Sequence, residues 1–148
     1  MSIPTETRKE WLSLLAKAPA EPLAQLWRST GLSPSYETLR APEIGGVMTR
    51  GRMGASGAPF NLGEITVTRC SVRLATGEVG HGYVQGRDRE KAETAAVIDA
   101  AMQTEDAAAI RRNVLEPLAE EMTDRAGIRA RKAAATKVDF FTMVRGED

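Results

Sequence analysis

The stretch Cys70-Ser71-Val72-Arg73-Leu74-Ala75-Thr76-Gly77-Glu78-Val79-Gly80-His81-Gly82-Tyr83-Val84-Gln85 alternates apolar with polar or glycine residues on both sides of a turn. A period of two is the mark of a half-buried strand. Ala75-Thr76-Gly77-Glu78 supplies the turn, so the segment reads as an antiparallel hairpin. If Leu74 pairs with Val79 across this four-residue loop, Val72 faces His81 and Cys70 faces Tyr83. Those six residues then share one face. Arg69, Ser71 and Arg73 take the other, opposite Val84, Gly82 and Gly80. Ile65 and Val67 share parity with Arg69. Either the outer face is partly covered there, or a bulge near Thr68 switches the register.

Working outward, residues 61–74 form one long strand rich in Thr and Val. Residues 36–41 and 47–52 read as two more, joined through Pro42-Glu43-Ile44-Gly45-Gly46. Met53-Gly54-Ala55-Ser56-Gly57-Ala58-Pro59 is a Gly-rich connection. The expectation is a four-stranded antiparallel meander. Upstream, Thr7-Arg8-Lys9-Glu10 has the spacing of a capping box, and Trp11, Leu14, Leu15 and Ala18 follow at helical spacing. A helix over 7–18 stops at Pro19. A second starts near Pro22 and ends at Gly31. Downstream, Asp88 caps a helix running to about Met102. A last helical region starts near Glu105 and continues to about Lys137, with Pro117 and Gly127 expected to kink or divide it. Helices grouped at both ends of a meander predict an α+β fold: an N-terminal helical hairpin, four strands and two or more C-terminal helices. Residues 1–148 read as a single domain.

Composition narrows the function classes. Twenty basic and twenty acidic residues cancel, so no global field draws in nucleic acid or an anionic membrane. Aromatics are 5%, which leaves few platforms for stacking bases. Cys70 is the sole cysteine, so no intrachain disulfide forms. The first residues lack the basic start and apolar run of a signal peptide, and no stretch approaches the ~20 apolar residues of a membrane span. A cytoplasmic location is the expectation.

The chain ends on Val138-Asp139-Phe140-Phe141-Thr142-Met143-Val144-Arg145-Gly146-Glu147-Asp148. Burying Phe140, Phe141, Met143 and Val144 contributes roughly 6–12 kcal/mol, at 1.5–3 kcal/mol per side chain. Residues 138–148 therefore fold back on the domain or dock on another chain, and the residues themselves leave both open.

No Ser/His/Asp set, carboxylate pair or metal motif emerges, so no catalytic or metal-binding residue is assigned. His81, the only histidine, reads as an acid, base or ligand, or as a partly buried structural residue. Arg69 and Arg73, with Arg50 and Arg52 nearby, suit phosphate or phosphonate oxygens, because the guanidinium fork bonds them bidentately. They read equally as a solvated face. The glycines opposite imply close contact with something. The turn around Arg87 precedes a helix N-terminus that either holds an anion or is closed by its Asp cap. The Gly-rich loop lacks GK[ST] and is not a P-loop.

Several segments together resemble a known family. They are Arg52-Met53-Gly54 with Ser56-Gly57, Thr68-Arg69 with Val72-Arg73-Leu74, Tyr83-Val84-Gln85-Gly86-Arg87-Asp88, and Val138-Asp139-Phe140-Phe141-Thr142-Met143-Val144-Arg145-Gly146, with Trp11 near the start. Nearly end to end, the chain resembles the G subunit of the bacterial carbon–phosphorus lyase system. The resemblance implies phosphonate catabolism and a core complex with H, I and J subunits. In that system a phosphonate displaces adenine from ATP to give a ribose 1-phosphonate 5-triphosphate, with the G, H and I subunits and an ATPase-like L protein supporting the step. The J partner then breaks the C–P bond with an iron–sulfur cluster and S-adenosylmethionine. One cysteine cannot hold such a cluster, so no cofactor is expected here. The implied role is a non-catalytic, required subunit whose tail anchors on the I subunit. Arg69, Arg73, Arg87 and His81 are then the first candidates for contact with the anionic substrate.

Overall fold

The computed structural model describes the backbone of residues 5–52 and 59–145 and the side chains of residues 7–48 and 63–135. Two helices lead, α1 (Thr5–Lys17) and α2 (Ala20–Ser29), with Pro19 between them. Three antiparallel strands follow, β1 (Tyr36–Arg52), β2 (Pro59–Leu74) and β3 (Val79–Gln85), in the spatial order β1-β2-β3. Then come α3 (Arg89–Ala101), the short α4 (Ala107–Ile110), a π-helical turn (Arg111–Leu115) and the long α5 (Glu116–Arg145). The class is α+β, as the grouped helices imply.

The sheet has three strands, not four. Pro42-Glu43-Ile44-Gly45-Gly46 does not turn the chain; β1 runs straight through it. The pairing jumps from Arg40↔Ser71 to Glu43↔Arg69, so a bulge absorbs Ala41 and Pro42 opposite one β2 residue. Proline has no N–H for the ladder, and a bulge on an edge strand is where it is tolerated. The connection through residues 53–58 lies outside the described residues, as do the side chains of Arg50 and Arg52.

The β2–β3 hairpin also differs from expectation, by one residue of register. Leu74 N–H bonds the Glu78 carbonyl at 2.8 Å, and Gly77 takes φ +108°. The chain therefore turns in three residues rather than four, a loop length that needs one residue in the left-handed region. Arg73 pairs with Val79, Val72 with Gly80, Ser71 with His81, Cys70 with Gly82 and Arg69 with Tyr83. A one-residue slip inverts every side chain. The glycines thus face inward, while His81 and Tyr83 face out. The β2–β3 ladder is unbroken from Val67↔Gln85 to Arg73↔Val79, so no bulge sits at Thr68. Val67 is buried on the outer face beside exposed Arg69, and partial cover of that face explains its parity.

The inward glycines let α3 approach. A methyl group at Gly80 would stand 2.0 Å from the Ala96 carbonyl oxygen, and one at Gly82 would stand 2.0 Å from that of Ala92. The facing helix is correspondingly Ala-rich: Ala92, Ala95, Ala96, Ala100 and Ala101 are all buried. Cys70, Val72, Leu74 and Val84 of the sheet close this layer, and Trp11, Leu15 and Leu23 extend the core across α1 and α2. Ile110, Val114, Leu115 and Leu118 complete it. Pro117 falls just after the π-helical turn, which holds the residue four places back whose carbonyl a proline ring would strike. Gly127 does not divide α5, which extends unbroken to Arg145.

Gly82→Ala should destabilise the fold by about 1–3 kcal/mol or more, since the obstacle is helix backbone that cannot rotate aside. Thermal unfolding measures this, and a variant melting with the wild type would contradict the close packing.

Candidate functional site on the outer face of the sheet

The helices leave the outer face of β1 and β2 to solvent. Cross-strand partners share a face, and three rows result. Glu43, Arg69 and Tyr83 form the first, Arg40, Ser71 and His81 the second, and Glu37, Arg73 and Val79 the third. The arginines suspected of anion binding are already matched within the chain. Arg69 Nε donates to Glu43 Oε1 at 2.9 Å, and Arg73 Nη1 donates to Glu37 Oε1 at 3.2 Å. Arg40 Nη1 reaches the same Glu43 oxygen at 3.2 Å. These pairs are half-exposed and contribute about 0–1 kcal/mol each. An anion binding here would compete with these carboxylates for the same guanidinium groups.

His81 joins the same face, exposed, with Nδ1 2.9 Å from Ser71 Oγ. It shares this face with Tyr83 and is not packed among Cys70 and Val72, because the register moves it to the side opposite them. Arg87 stands apart, exposed in the turn before α3, with no ion pair among the described residues. The helix N-terminus beside it is closed by its cap: Lys91 N–H donates to Asp88 Oδ1 at 2.9 Å. Thr68 locks this turn from the inner face. Its Oγ1 donates to the Gly86 carbonyl at 2.7 Å and accepts the Asp88 N–H at 3.1 Å. The structure thus brings Arg69, Arg73 and His81 to one face and leaves Arg87 off it. The side chains of Phe140, Phe141, Met143 and Val144 lie outside the described residues, though the backbone there belongs to α5.

Sequence reasoning passed over the most connected polar group. Asp99 of α3 is fully buried. Its Oδ1 accepts Trp11 Nε1–H at 2.8 Å and Arg8 Nε–H at 3.2 Å. Its Oδ2 accepts Arg8 Nη2–H at 2.8 Å and the His81 backbone N–H at 2.8 Å. Bonding to Asp99 holds the Arg8 guanidinium above its ordinary pKa, against some desolvation. The signal was present as a lone acid in Ile98-Asp99-Ala100, amid buried alanines, and as Arg8 and Trp11 one helical turn apart. At the other edge, the Tyr36 hydroxyl donates to the Glu93 carboxylate, and that bond pushes Tyr36 up to about 12. Burial pushes the Cys70 thiol up as well. Among the described residues no cluster of His, Cys, Asp and Glu could hold a metal ion.

Two outcomes follow from this geometry. Asp99→Ala leaves buried donors unpaired and should cost about 3–5 kcal/mol, whereas Arg69→Ala and Arg73→Ala should each stay within about 1 kcal/mol. Chemical denaturation compares the three, and equal losses would refute the distinction. Tyr36 keeps its proton in the folded chain to higher pH than in the unfolded chain, where tyrosine titrates near 10. Its contribution is present below about pH 10 and is lost as pH rises towards about 12. Ultraviolet titration should show that high transition, and Glu93→Gln should move it down; an unmoved transition would remove Glu93 as the cause.

A family model described as "Phosphonate metabolism protein PhnG" matches residues 6–146. The chain is 46% identical over 145 residues to a Rhizobium meliloti (strain 1021) protein named "Alpha-D-ribose 1-methylphosphonate 5-triphosphate synthase subunit PhnG". That alignment covers 95% of this chain and 90% of the relative. With both matches spanning the helices, the sheet and the long last helix, the chain belongs to the PhnG family of phosphonate metabolism proteins.

Proposed function

We propose that the chain is a required, non-catalytic subunit of an α-D-ribose 1-methylphosphonate 5-triphosphate synthase. The reaction joins an alkyl phosphonate to the ribose of ATP with loss of adenine. The partners are the H, I and J subunits of a cytoplasmic carbon–phosphorus lyase core, with the I subunit in direct contact. ATP is a substrate of the assembly, and the iron–sulfur cluster and S-adenosylmethionine belong to the J partner.

The observation that carries this reading is α5. It has 30 residues, about 45 Å at 1.5 Å per residue. Only its start joins the core, through Leu118 and the half-buried Met122. From Thr123 to Ala135 every described residue except Gly127 is exposed. A helix this long gains its stability from packing rather than propensity, and this one leaves its own domain behind. The apolar run Val138–Val144 lies at its far end. The helix therefore supplies a lever that reaches a second chain, with 138–148 as the anchor. On the outer face Arg69 and Arg73 are each paired with a glutamate of β1, which favours support over direct contact with substrate oxygens.

Co-expression with the H, I and J subunits, with and without residues 138–148, tests the assignment. The full chain should copurify with the I subunit, and the truncated chain should be lost from it by about tenfold or more. Full retention after truncation would show that the tail is not the anchor.

A further inference from the structure

The near part of α5 holds a second feature, independent of the tail. A groove of about 420 Å³ opens between the α1–α2 turn and α5. Its floor is Pro19, Met122 and Ile128, and its rim is Lys17, Arg125 and Arg129. Ile128 is 45% exposed, the one large aliphatic side chain left in the open on the described part of α5. No acid lines the groove. Glu121 meets Arg125 at 3.0 Å from one side, an exposed pair of small worth. The cationic character continues along the helix: from Arg125 to Lys137 there are five cations and no acid, in a chain whose charges cancel overall.

We propose that this groove and the cationic run beyond it dock an acidic segment with apolar side chains on a partner subunit. This rests on the subunit reading above and specifies the chemistry of the partner's surface. Charge complementarity selects the occupant. A cationic rim over an aliphatic floor fits a segment whose carboxylates flank a buried apolar side chain, the pattern of helix-in-groove recognition. Nucleic acid is the poorer fit, because no aromatic residue lines the groove to stack a base. Rim charges of this kind govern encounter and partner choice and weaken with salt.

The full chain is co-expressed with the H, I and J subunits and recovered through a tag on the I subunit at rising salt. Wild-type recovery should fall as salt rises. Arg125→Glu combined with Arg129→Glu should reduce recovery about tenfold near 0.15 M salt and flatten the remaining salt dependence. A photo-crosslinking residue at position 128 should capture a partner segment rich in Asp and Glu. Undiminished recovery with unchanged salt dependence overturns the proposal. So does a captured segment without acids, or capture of nucleic acid. Thermal melting checks that the double variant folds, and if it does not, Arg129→Gln with the position-128 cross-link decides the matter. Removal of 138–148 separates the two ideas. If truncation releases the chain but charge reversal does not, the subunit reading stands and the groove falls. If the full chain never copurifies, both fall.

Discussion

The buried carboxylate of Asp99 is the constraint on which the arrangement depends. Four hydrogen bonds from three directions converge on it: two from Arg8, one from Trp11 and one from the backbone of His81. They tie α1, β3 and α3 at one point. The bond from His81 has a further effect, because it occupies an N–H that an edge strand would otherwise present to other chains. The Val79 carbonyl on the same edge is occupied by Gln103 at 2.7 Å. A buried charge without these donors would be costly. The carboxylate is therefore tolerable only where helix and strand both supply them.

Close packing of α3 follows from the same region. Gly80 and Gly82 remove side chains from β3, and the alanines of α3 remove them from the helix. Backbone then meets backbone, and the layer is thin. What small residues lose in hydrophobic area per side chain, the molecule recovers by adding apolar residues at both ends of the layer, from Trp11 and Leu23 to Ile110 and Leu118. This explains how a chain with 5% aromatic residues forms a continuous core.

Charge is arranged differently on the two exposed regions. On the outer sheet face each arginine of β2 finds a glutamate on β1, and Arg40 of β1 shares Glu43 with Arg69. On α5 the cations of the middle third have no acids between them. In the register expected from sequence, Gly82 and Gly80 lie opposite Ser71 and Arg73 and imply close contact on the arginine face. The approach is real, but its partner is α3, on the other side of the sheet. Among the residues singled out from sequence, Arg69, Arg73 and His81 do share a surface, whereas Arg87 sits at a separate turn beyond Gly86.

The sequence by itself determined the elements: capping at Asp88, stops at Pro19 and Gly31, alternation through Cys70–Leu74, and the grouping of helices that makes the fold α+β. These are local signals, set by backbone sterics and by periodicity over a few residues. It also determined the family, through matches spread along the chain. Only the tertiary structure decided the rest. Pro42, Gly45 and Gly46 look like a turn in isolation, yet pairing along the 16-residue β2 extends β1 through them and places the proline in an edge bulge. The three-residue turn at Gly77 decided which face of the hairpin is buried, a choice that hangs on one residue of loop length. Asp99 finds Arg8 and Trp11 from 91 and 88 positions away. Contacts at that separation leave no local pattern, because they exist only once helix and sheet have come together.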